Sequence, residues 1–230
     1  MTAERDLTSG HDTRGDLPGW WSPLLERIAG ARTSDFSRLP TPADGGRPSA
    51  VLILLGEAAP GEPDVVVLER AADMRHHAGQ PAFPGGAADP GDPDPAATAL
   101  REAHEEIGLD RASVAVLATL PPLWIPVSRF VVTPVLAWWR VPHPVWPRDR
   151  AEVARVERIP VAELTDPANR IRLRHPSGFI GTAFRVRQML IWGFTAGVLD
   201  TLLTMAGWAR PWSREATPVE LPVAGDRPVP

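Results

Sequence analysis

The stretch that decides the fold is GQPAFPGGAADPGDPDPAATALREAHEEIGLD, residues 79–110. Its second half predicts a helix over residues 95–107, because Asp94 suits an N-cap and Pro95 suits the first helical position. Gly108 suits the residue that ends a helix. The first half is rich in Gly and Pro, which indicates a loop that leads into this helix.

Helical spacing divides this segment into an apolar face and an acidic face. The apolar side chains are Ala96, Leu100, Ala103 and Ile107, and the carboxylates opposite them are Glu102, Glu105 and Glu106. Three carboxylates within one turn repel one another, and oxygen ligands grouped in this way are what Mg²⁺ or Mn²⁺ requires. For the helix alone, a solvated acidic surface is the simpler interpretation.

Loop and helix together resemble the Nudix box, G-x5-E-x7-R-E-U-x-E-E-x-G-U, where U is a large apolar residue. The fixed positions of its second half are filled by Arg101, Glu102, Ala103, Glu105, Glu106, Gly108 and Leu109. The first half departs from the pattern, since Asp92 stands where the family has Glu and eight residues, not seven, separate it from Arg101. The resemblance implies that Asp92 or Asp94 pairs with Arg101 and holds the loop on the helix.

The longer first half resembles the coenzyme A diphosphatase branch of this family. The matching residues are Arg70, His77, Gly79, Gln80, Phe83, Pro84, Gly85 and Gly86, with Pro81 where the branch usually has an aliphatic residue. Residues 152–169 and 189–203 also resemble the branch, so the likeness extends from about Ala50 to Trp208.

The resemblance implies an α/β Nudix fold, with a mixed β-sheet sandwiched between α-helices. It also implies hydrolysis of the diphosphate of coenzyme A or its thioesters, to 3′,5′-ADP and 4′-phosphopantetheine or its acyl derivative, with Mg²⁺ or Mn²⁺ as cofactor. The implied metal ligands are Glu102, Glu105 and Glu106, and the implied catalytic residues are Glu102, Glu105 and Arg101. Glu102 is either a ligand or the base that activates water.

The same resemblance implies a set of residues around the substrate. The candidate substrate-binding residues are Arg70, His77, Gly85 and Gly86, and a carbonyl of either glycine would complete the metal coordination. A further acidic ligand from a later loop is Glu152 or Glu157, and the sequence does not choose between them.

Two other functions stay open at this point. One is a Nudix hydrolase of another nucleoside diphosphate-linked compound, such as ADP-ribose or an oxidised nucleotide. The other is a catalytically silent module that binds a nucleotide. The presence of all three helix carboxylates argues against the silent module.

Outward from the deciding stretch, short apolar runs bounded by Gly and Pro predict paired strands at residues 50–55 and 64–70. Further strands are expected at residues 114–120, 130–141 (interrupted by Pro134) and 152–159. Helices are expected from Trp20 to Ala31 and over residues 194–208, the second with Thr195 as its N-cap.

Three groups of residues have an ordinary structural interpretation beside a functional one. Arg170, Arg172 and Arg174 alternate on one face of a strand and could hold phosphates, although a solvated edge strand is favoured. Trp138, Trp139 and Trp192 are expected in the core or at an interface. His104 is expected to be structural and His76 to face solvent.

The composition narrows the class of protein. The 230 residues are 43% hydrophobic and 23% charged with a net charge of −4, which favours a folded domain and argues against a role in coating nucleic acid. Without Cys the chain has no disulfide, no thiolate zinc site and no cysteine nucleophile, and without Lys it has no lysine base.

We expect a disordered segment over residues 1–17, one Nudix domain over residues 18–210 and an irregular Pro-rich tail over residues 211–230. No signal segment or membrane span is found in the sequence, which predicts a cytoplasmic protein. The expected partner is a small coenzyme A-like diphosphate, without nucleic acid or membrane, and a homodimer is left open.

Overall fold

The computed structural model describes residues 16–42, 45–72 and 79–221. The helices are α1 (Trp21–Ile28), α2 (Thr33–Phe36), α3 (Pro95–Ile107), α4 (Val161–Thr165) and α5 (Gly193–Met205). The strands of the larger sheet are β1 (Arg47–Ala59), β2 (Glu62–Arg70), β3 (Pro81–Ala82), β4 (Gly85–Ala87), β5 (Val114–Thr119), β6 (Leu123–Ile125), β7 (Phe130–Trp139) and β8 (Val153–Pro160). The smaller sheet has β9 (Arg170–Arg174), β10 (Ile180–Val186), β11 (Met189–Ile191) and β12 (Val219–Glu220).

The larger sheet is mixed. Its order is β3-β2-β1-β7-β5, with β4 beside β1, β6 beside β7 and β8 beside β2. β1 and β7 run parallel from the pair Arg47–Phe130 to the pair Leu55–Trp138, and the other pairs in this sheet are antiparallel. β4 therefore lies against the first half of β1, which brings the two glycines of the loop beside Ala50 and Val51.

Alternation along β1 divides the core between the two faces of the sheet. Leu52 and Leu54 pack with the apolar side of α3, whereas Ile53 and Leu55 pack with α1 and α5. The sheet is therefore covered by helices on both faces, and the expected α/β architecture is confirmed. In the described parts of the chain, no helix is long and apolar enough to cross a membrane.

The predicted strands and helices are present, with several corrections. α1 is shorter than the predicted helix, and β1 is longer than the predicted strand. The expected interruption at Pro134 is wrong, because β7 continues through it. The Pro134 carbonyl accepts a hydrogen bond from the Leu120 N–H, so the edge of β7 at which Pro134 lacks a donor faces the Pro121-Pro122 segment. This segment lies between β5 and β6, so the absent N–H interrupts neither strand pair.

The second half of the chain departs further from expectation. Thr195 is not an N-cap: α5 begins at Gly193, and the Thr195 hydroxyl donates to the carbonyl of Pro81, 3.1 Å away. β9 is not an edge strand, since β10 pairs with one side of it and β12 with the other. The tail is not wholly irregular, because β12 lies within it.

Candidate active site

The site is organised by α3, whose ends are those that the sequence predicts. The Asp94 side chain accepts a hydrogen bond from the Ala97 N–H at 2.8 Å, and Pro95 occupies the first turn. Gly108 ends the helix in the left-handed region at φ 71°, a conformation that a glycine adopts without strain. These local signals fix where the carboxylates of the last two turns lie.

Arg101 lies at the centre of an acidic network. Its Nη2 contacts Asp92 at 3.0 Å, while its Nη1 contacts Glu102 at 2.9 Å and Glu105 at 3.0 Å. Nη2 also donates to the carbonyl of Ala87, so the arginine fastens the loop to the helix. The expected pairing of Arg101 with Asp92 or Asp94 is confirmed for Asp92, despite the altered spacing.

The contacts in this network shift the pKa values of Asp92 and Arg101. Hydrogen bonds from Arg101 hold the pKa of Asp92 well below its usual range. The same bonds raise the pKa of Arg101 further above its ordinary value. The pair therefore stays ionised at neutral pH.

Glu106 has an environment that the helical pattern did not predict. Its side chain is only 4% exposed, so Glu106 does not share the solvent-facing side of the helix with Glu105, which is 56% exposed. Burial raises the pKa of Glu106 to about 8, although the Gly85 N–H and Arg70 oppose the shift. The alternative interpretation of a solvated acidic surface is therefore wrong for Glu106.

Two neighbours fix the Glu106 carboxylate. The Gly85 N–H donates to Oε2 at 2.9 Å, and Arg70 Nη1 lies 3.7 Å from Oε1. Gly85 adopts φ 156°, and a Cβ there would lie 2.4 Å from the carbonyl oxygen of Ala50, so this position requires glycine. The loop thus approaches β1 closely enough to deliver its N–H to Glu106.

Glu102 lies directly against the second glycine of the loop. A Cβ on Gly86 would lie 2.5 Å from the Glu102 carboxyl carbon, so the absence of a side chain makes room for this carboxylate. Burial raises the pKa of Glu102, and the opposing effect of Arg101 is smaller. The Gly86 carbonyl accepts a hydrogen bond from the Ser49 hydroxyl at 2.6 Å.

The chemistry of these donors fits a hard divalent cation. Glu102 and Glu106 are carboxylates whose ionised forms are disfavoured by burial, and a bound cation would reverse that effect. Within residues 16–42, 45–72 and 79–221, no three acidic or histidine side chains lie close enough together to hold one ion. Arg101 instead bridges Glu102 and Glu105.

The two candidates for a later acidic residue separate clearly. Glu152 lies close enough to Glu106 that its charge contributes to the raised pKa of Glu106. Glu157 lies elsewhere, paired with Arg187 at 3.3 Å and Arg155 at 3.9 Å. The structure therefore places Glu152, not Glu157, beside the predicted site. His77, the remaining candidate for substrate contact, lies outside the described residues, as does His76.

Three residues of the site were missed by the sequence interpretation. Thr98 is buried and donates its hydroxyl to Asp92, Asp89 lies 3.6 Å from Arg101, and Ser49 fixes the Gly86 carbonyl. The acidic run 89–94 was a usable signal for Asp89. Ser49 and Thr98 carry no such signal, because a hydroxyl is common at both kinds of position.

The other residues singled out in the sequence have structural contacts. Trp138 and Trp139 are buried, and Trp192 is half-buried. His104 is exposed and its Nδ1 lies 2.9 Å from the carbonyl oxygen of Leu109, just past the end of α3. Arg170, Arg172 and Arg174 contact Asp200, the Ala216 carbonyl and Glu220 respectively.

Comparison with known proteins agrees with this geometry. The NUDIX domain family matches residues 46–177, more than half of the chain. The uncharacterized Nudix hydrolase NudL of Citrobacter koseri is 38% identical over 168 residues, which cover 70% of this chain and 83% of that protein. Its counterpart in Photorhabdus laumondii is 35% identical over 176 residues, which cover 72% of this chain and 90% of that protein.

Among solved structures, the Nudix hydrolase RenU of M. smegmatis has 19% identity and a TM-score of 0.49 over 76% of this chain and 97% of its own. The NUDIX domain of Shewanella oneidensis NrtR, solved with ADP ribose, has 18% identity and a TM-score of 0.42 over 60% of this chain and 84% of its own. On the match to the family and the identity to NudL over most of its length, this chain belongs to the Nudix hydrolase family.

Proposed function

We propose that the chain hydrolyses the diphosphate of coenzyme A, or of its thioesters, to 3′,5′-ADP and 4′-phosphopantetheine or its acyl derivative. The observation that supports this proposal is the convergence of Arg70 and Gly85 on the Glu106 carboxylate. Both residues belong to the stretch that resembles the coenzyme A branch. That stretch is therefore built around the acidic helix and is not a distant surface feature.

The reaction adds one water molecule across the anhydride. One bridging P–O bond breaks, the water oxygen joins one phosphorus, and the bridging oxygen leaves with the other. Each product then carries a phosphate monoester where the substrate had half of the diphosphate. A base near the water removes its proton, and we assign Glu102 as either that base or a metal ligand. Its raised pKa makes it a stronger base than an exposed glutamate.

Nudix hydrolases generally use divalent metals such as Mg²⁺ or Mn²⁺. We assign Glu102, Glu105 and Glu106 to the ion, with a carbonyl of Gly85 or Gly86 completing the ligand set. Binding would require these carboxylates to come closer together than they lie in the described structure, where Arg101 bridges Glu102 and Glu105. When bound, such an ion neutralises the diphosphate and lowers the pKa of a bound water.

The other residues position these ligands. Arg101 links Glu102 and Glu105 to the loop, and the Gly85 N–H fixes the direction of Glu106. Arg70 places a positive charge beside Glu106, where it can also attract the substrate diphosphate. We assign Arg70, Gly85 and Gly86 as substrate-binding residues. We assign Arg101 as a catalytic residue, together with Glu102 and Glu105.

A substrate panel tests the proposal. Purified protein is incubated with Mg²⁺ or Mn²⁺ and coenzyme A, 3′-dephospho-coenzyme A or ADP-ribose, and the products are identified by mass. We expect 3′,5′-ADP and 4′-phosphopantetheine from coenzyme A. We also expect kcat/KM at least about tenfold lower for the two compounds without a 3′-phosphate, because charged donors would be left unpaired.

Protein carrying Glu106→Gln, prepared in the same way, controls for contaminating hydrolases. Equal or better turnover of ADP-ribose would contradict the coenzyme A assignment and leave a hydrolase of other nucleoside diphosphate-linked compounds. No turnover of any of the three with either metal would favour the silent module.

A further inference from the structure

The connection between β7 and β8 borders the candidate site at residues 146–152. It crosses the end of α3, where the Trp146 N–H donates to the carbonyl of Ile107 at 3.2 Å and the Arg148 N–H donates to the carbonyl of Glu106 at 2.9 Å. These donors satisfy carbonyls that the last turn of a helix leaves without a partner inside the helix. We refer to these residues as the 146–152 segment.

The far end of the 146–152 segment also lies beside the site. The Glu152 carbonyl accepts a hydrogen bond from the Ala71 N–H at 2.8 Å, and the residue after Glu152 pairs with Arg70. The Glu152 carboxylate lies close enough to Glu106 to contribute to its raised pKa. Both ends of the segment are therefore bonded to the elements that carry Arg70 and Glu106, so the segment forms one wall of the site.

Two arginines, Arg148 and Arg150, lie on this wall. Two residues of chain span at most about 7 Å, so the Arg150 Cα lies within that distance of the Cα atoms of Arg148 and Glu152. A turn holds Arg150 in place, because the Asp149 carbonyl accepts the Glu152 N–H at 3.1 Å and the Asp149 carboxylate accepts the Ala151 N–H at 2.8 Å. The backbone of both arginines is therefore fixed next to the site.

Both side chains are exposed and neither has a carboxylate partner. Across the described ranges, 16–42, 45–72 and 79–221, no Asp or Glu lies within 4 Å of either guanidinium. Arg148 lies across the end of α3, with its Cδ 3.2 Å from the position that a Cβ on Gly108 would take. Arg148 and Arg150 can therefore bind an anion without displacing a carboxylate.

The site itself has more acidic than basic side chains. Its carboxylates are Asp89, Asp92, Glu102, Glu105, Glu106 and Glu152, and the arginines paired with them in the described chain are Arg70 and Arg101. A substrate diphosphate brings further negative charge to this surface, and like charges at short range repel. Guanidinium groups on the adjoining wall would reduce that repulsion and offer paired N–H donors to phosphate oxygens.

We propose that Arg148 and Arg150 bind the non-bridging oxygens of the substrate diphosphate. This inference rests on the proposed function for the position of the diphosphate beside Glu106, but not for the 3′-phosphate. It therefore applies equally to coenzyme A and to other nucleoside diphosphate-linked compounds. The diphosphate is anionic both before and during the reaction, so contacts of this kind should set KM more than kcat.

Calorimetric titration with methylenediphosphonate in excess Mg²⁺ tests the inference without turnover, because the carbon bridge of this compound cannot be hydrolysed. Arg148→Gln together with Arg150→Gln should weaken binding at least about tenfold, since hydrogen bonds to a charged group are lost. Each single variant should lose less. Arg185→Gln is the matched control, because it removes an exposed arginine of β10 in the smaller sheet.

Kinetics provide an independent measurement. The double variant should raise KM about tenfold at similar kcat, and by the same factor for every diphosphate that the chain cleaves. A loss confined to coenzyme A would overturn the inference, since it would place the arginines at the 3′-phosphate. Unchanged affinity for methylenediphosphonate would overturn it as well, and a lower urea midpoint in that case would mean that Arg148 only stabilises the end of α3.

The two proposals fail in different ways. If the chain cleaves coenzyme A but the double variant binds methylenediphosphonate as tightly as the unmodified chain, the assignment of the 146–152 segment is wrong and the proposed function stands. If the chain does not cleave coenzyme A, yet its affinity for methylenediphosphonate depends on the two arginines, the proposed function is wrong and the segment still binds a diphosphate.

Discussion

Arg101 in the candidate site and Arg170 in the smaller sheet are both held by carboxylates, but in opposite surroundings. Arg101 has four acidic neighbours, Asp89, Asp92, Glu102 and Glu105, and two of these, Asp89 and Glu105, are well exposed. Its pKa is raised by these neighbours. The positive charge of Arg101 is therefore balanced by several carboxylates, two of which are also in contact with water.

Arg170 has a fully buried side chain and one close carboxylate, that of Asp200. It lies between the rings of Phe184 and Trp212, about 5 Å from each centre. Its Nε and Nη1 have no hydrogen-bond partner in the described structure, and burial lowers its pKa. Its charge therefore depends on a single ion pair.

This difference in surroundings predicts that the Arg101 network serves function and that the Arg170 pair serves stability. An open network of several carboxylates can rearrange around a ligand without exposing an unpaired buried charge, which suits a site that binds a cation and a diphosphate. A buried pair between helix and sheet has no such freedom, and breaking it leaves an uncompensated charge in the core. We expect changes near Arg101 to affect activity and changes near Arg170 to affect folding.

The largest effect is expected for Asp200→Asn. This change leaves the buried Arg170 without its counterion and should lower the free energy of unfolding by about 3 kcal/mol. Urea denaturation measures it, and kcat at low temperature should stay near that of the unmodified chain. Glu215→Gln, at an exposed position, is the control. A stability loss below about 1 kcal/mol would mean that the Arg170 pair is not the buried support that we describe.

Glu106→Gln should have the next largest effect, on rate. Loss of a proposed metal ligand should reduce kcat at least about 100-fold, or about 2.7 kcal/mol in activation free energy. The side chain keeps its size, so the denaturation midpoint should change little. Glu26→Gln on α1 is an exposed control. Near-full activity at saturating Mg²⁺ would show that Glu106 is not a ligand.

Gly86→Ala tests how tightly the loop and helix fit. The added Cβ would lie 2.5 Å from the Glu102 carboxyl carbon, so Glu102 must move while the backbone stays. We expect kcat to fall about tenfold, because small displacements of catalytic groups are costly. Gly91→Ala is the matched control, since a Cβ there meets nothing within 4 Å. Equal rates for the two variants would argue against a catalytic position for Glu102.

The smallest effect is expected for Glu220→Gln, which removes the ion pair of β12 with Arg174. Both side chains are largely exposed, at 71% and 42%, so the loss should be below about 0.5 kcal/mol in urea denaturation. Repeating the measurement in 1 M NaCl should remove even that difference. A loss comparable to that of Asp200→Asn would mean that this exposed ion pair stabilises the fold as much as the buried pair of Arg170 and Asp200.

Much of the candidate site follows from short-range patterns in the sequence. The cap at Asp94, the proline at Pro95 and the left-handed Gly108 act within one or two residues, so the bounds of α3 could be predicted. The partner of Arg101 is Asp92, nine residues before it, and the sequence predicted either Asp92 or Asp94. The burial of Glu106 could not be predicted in this way, because it depends on Gly85 and Arg70 arriving from other strands.

By itself, the sequence therefore determined the acidic helix, the loop that precedes it and the class of fold, since caps, glycines and apolar alternation act locally. Only the tertiary structure decided which carboxylate is buried, that β7 continues through Pro134 and that Thr195 contacts Pro81. It also decided that Arg170 is buried against Asp200, 30 residues away, while Arg148 and Arg150 are exposed. The sequence does not show which arginine is buried and which is exposed. Their roles differ because tertiary packing sets how much water and how many counterions reach each guanidinium.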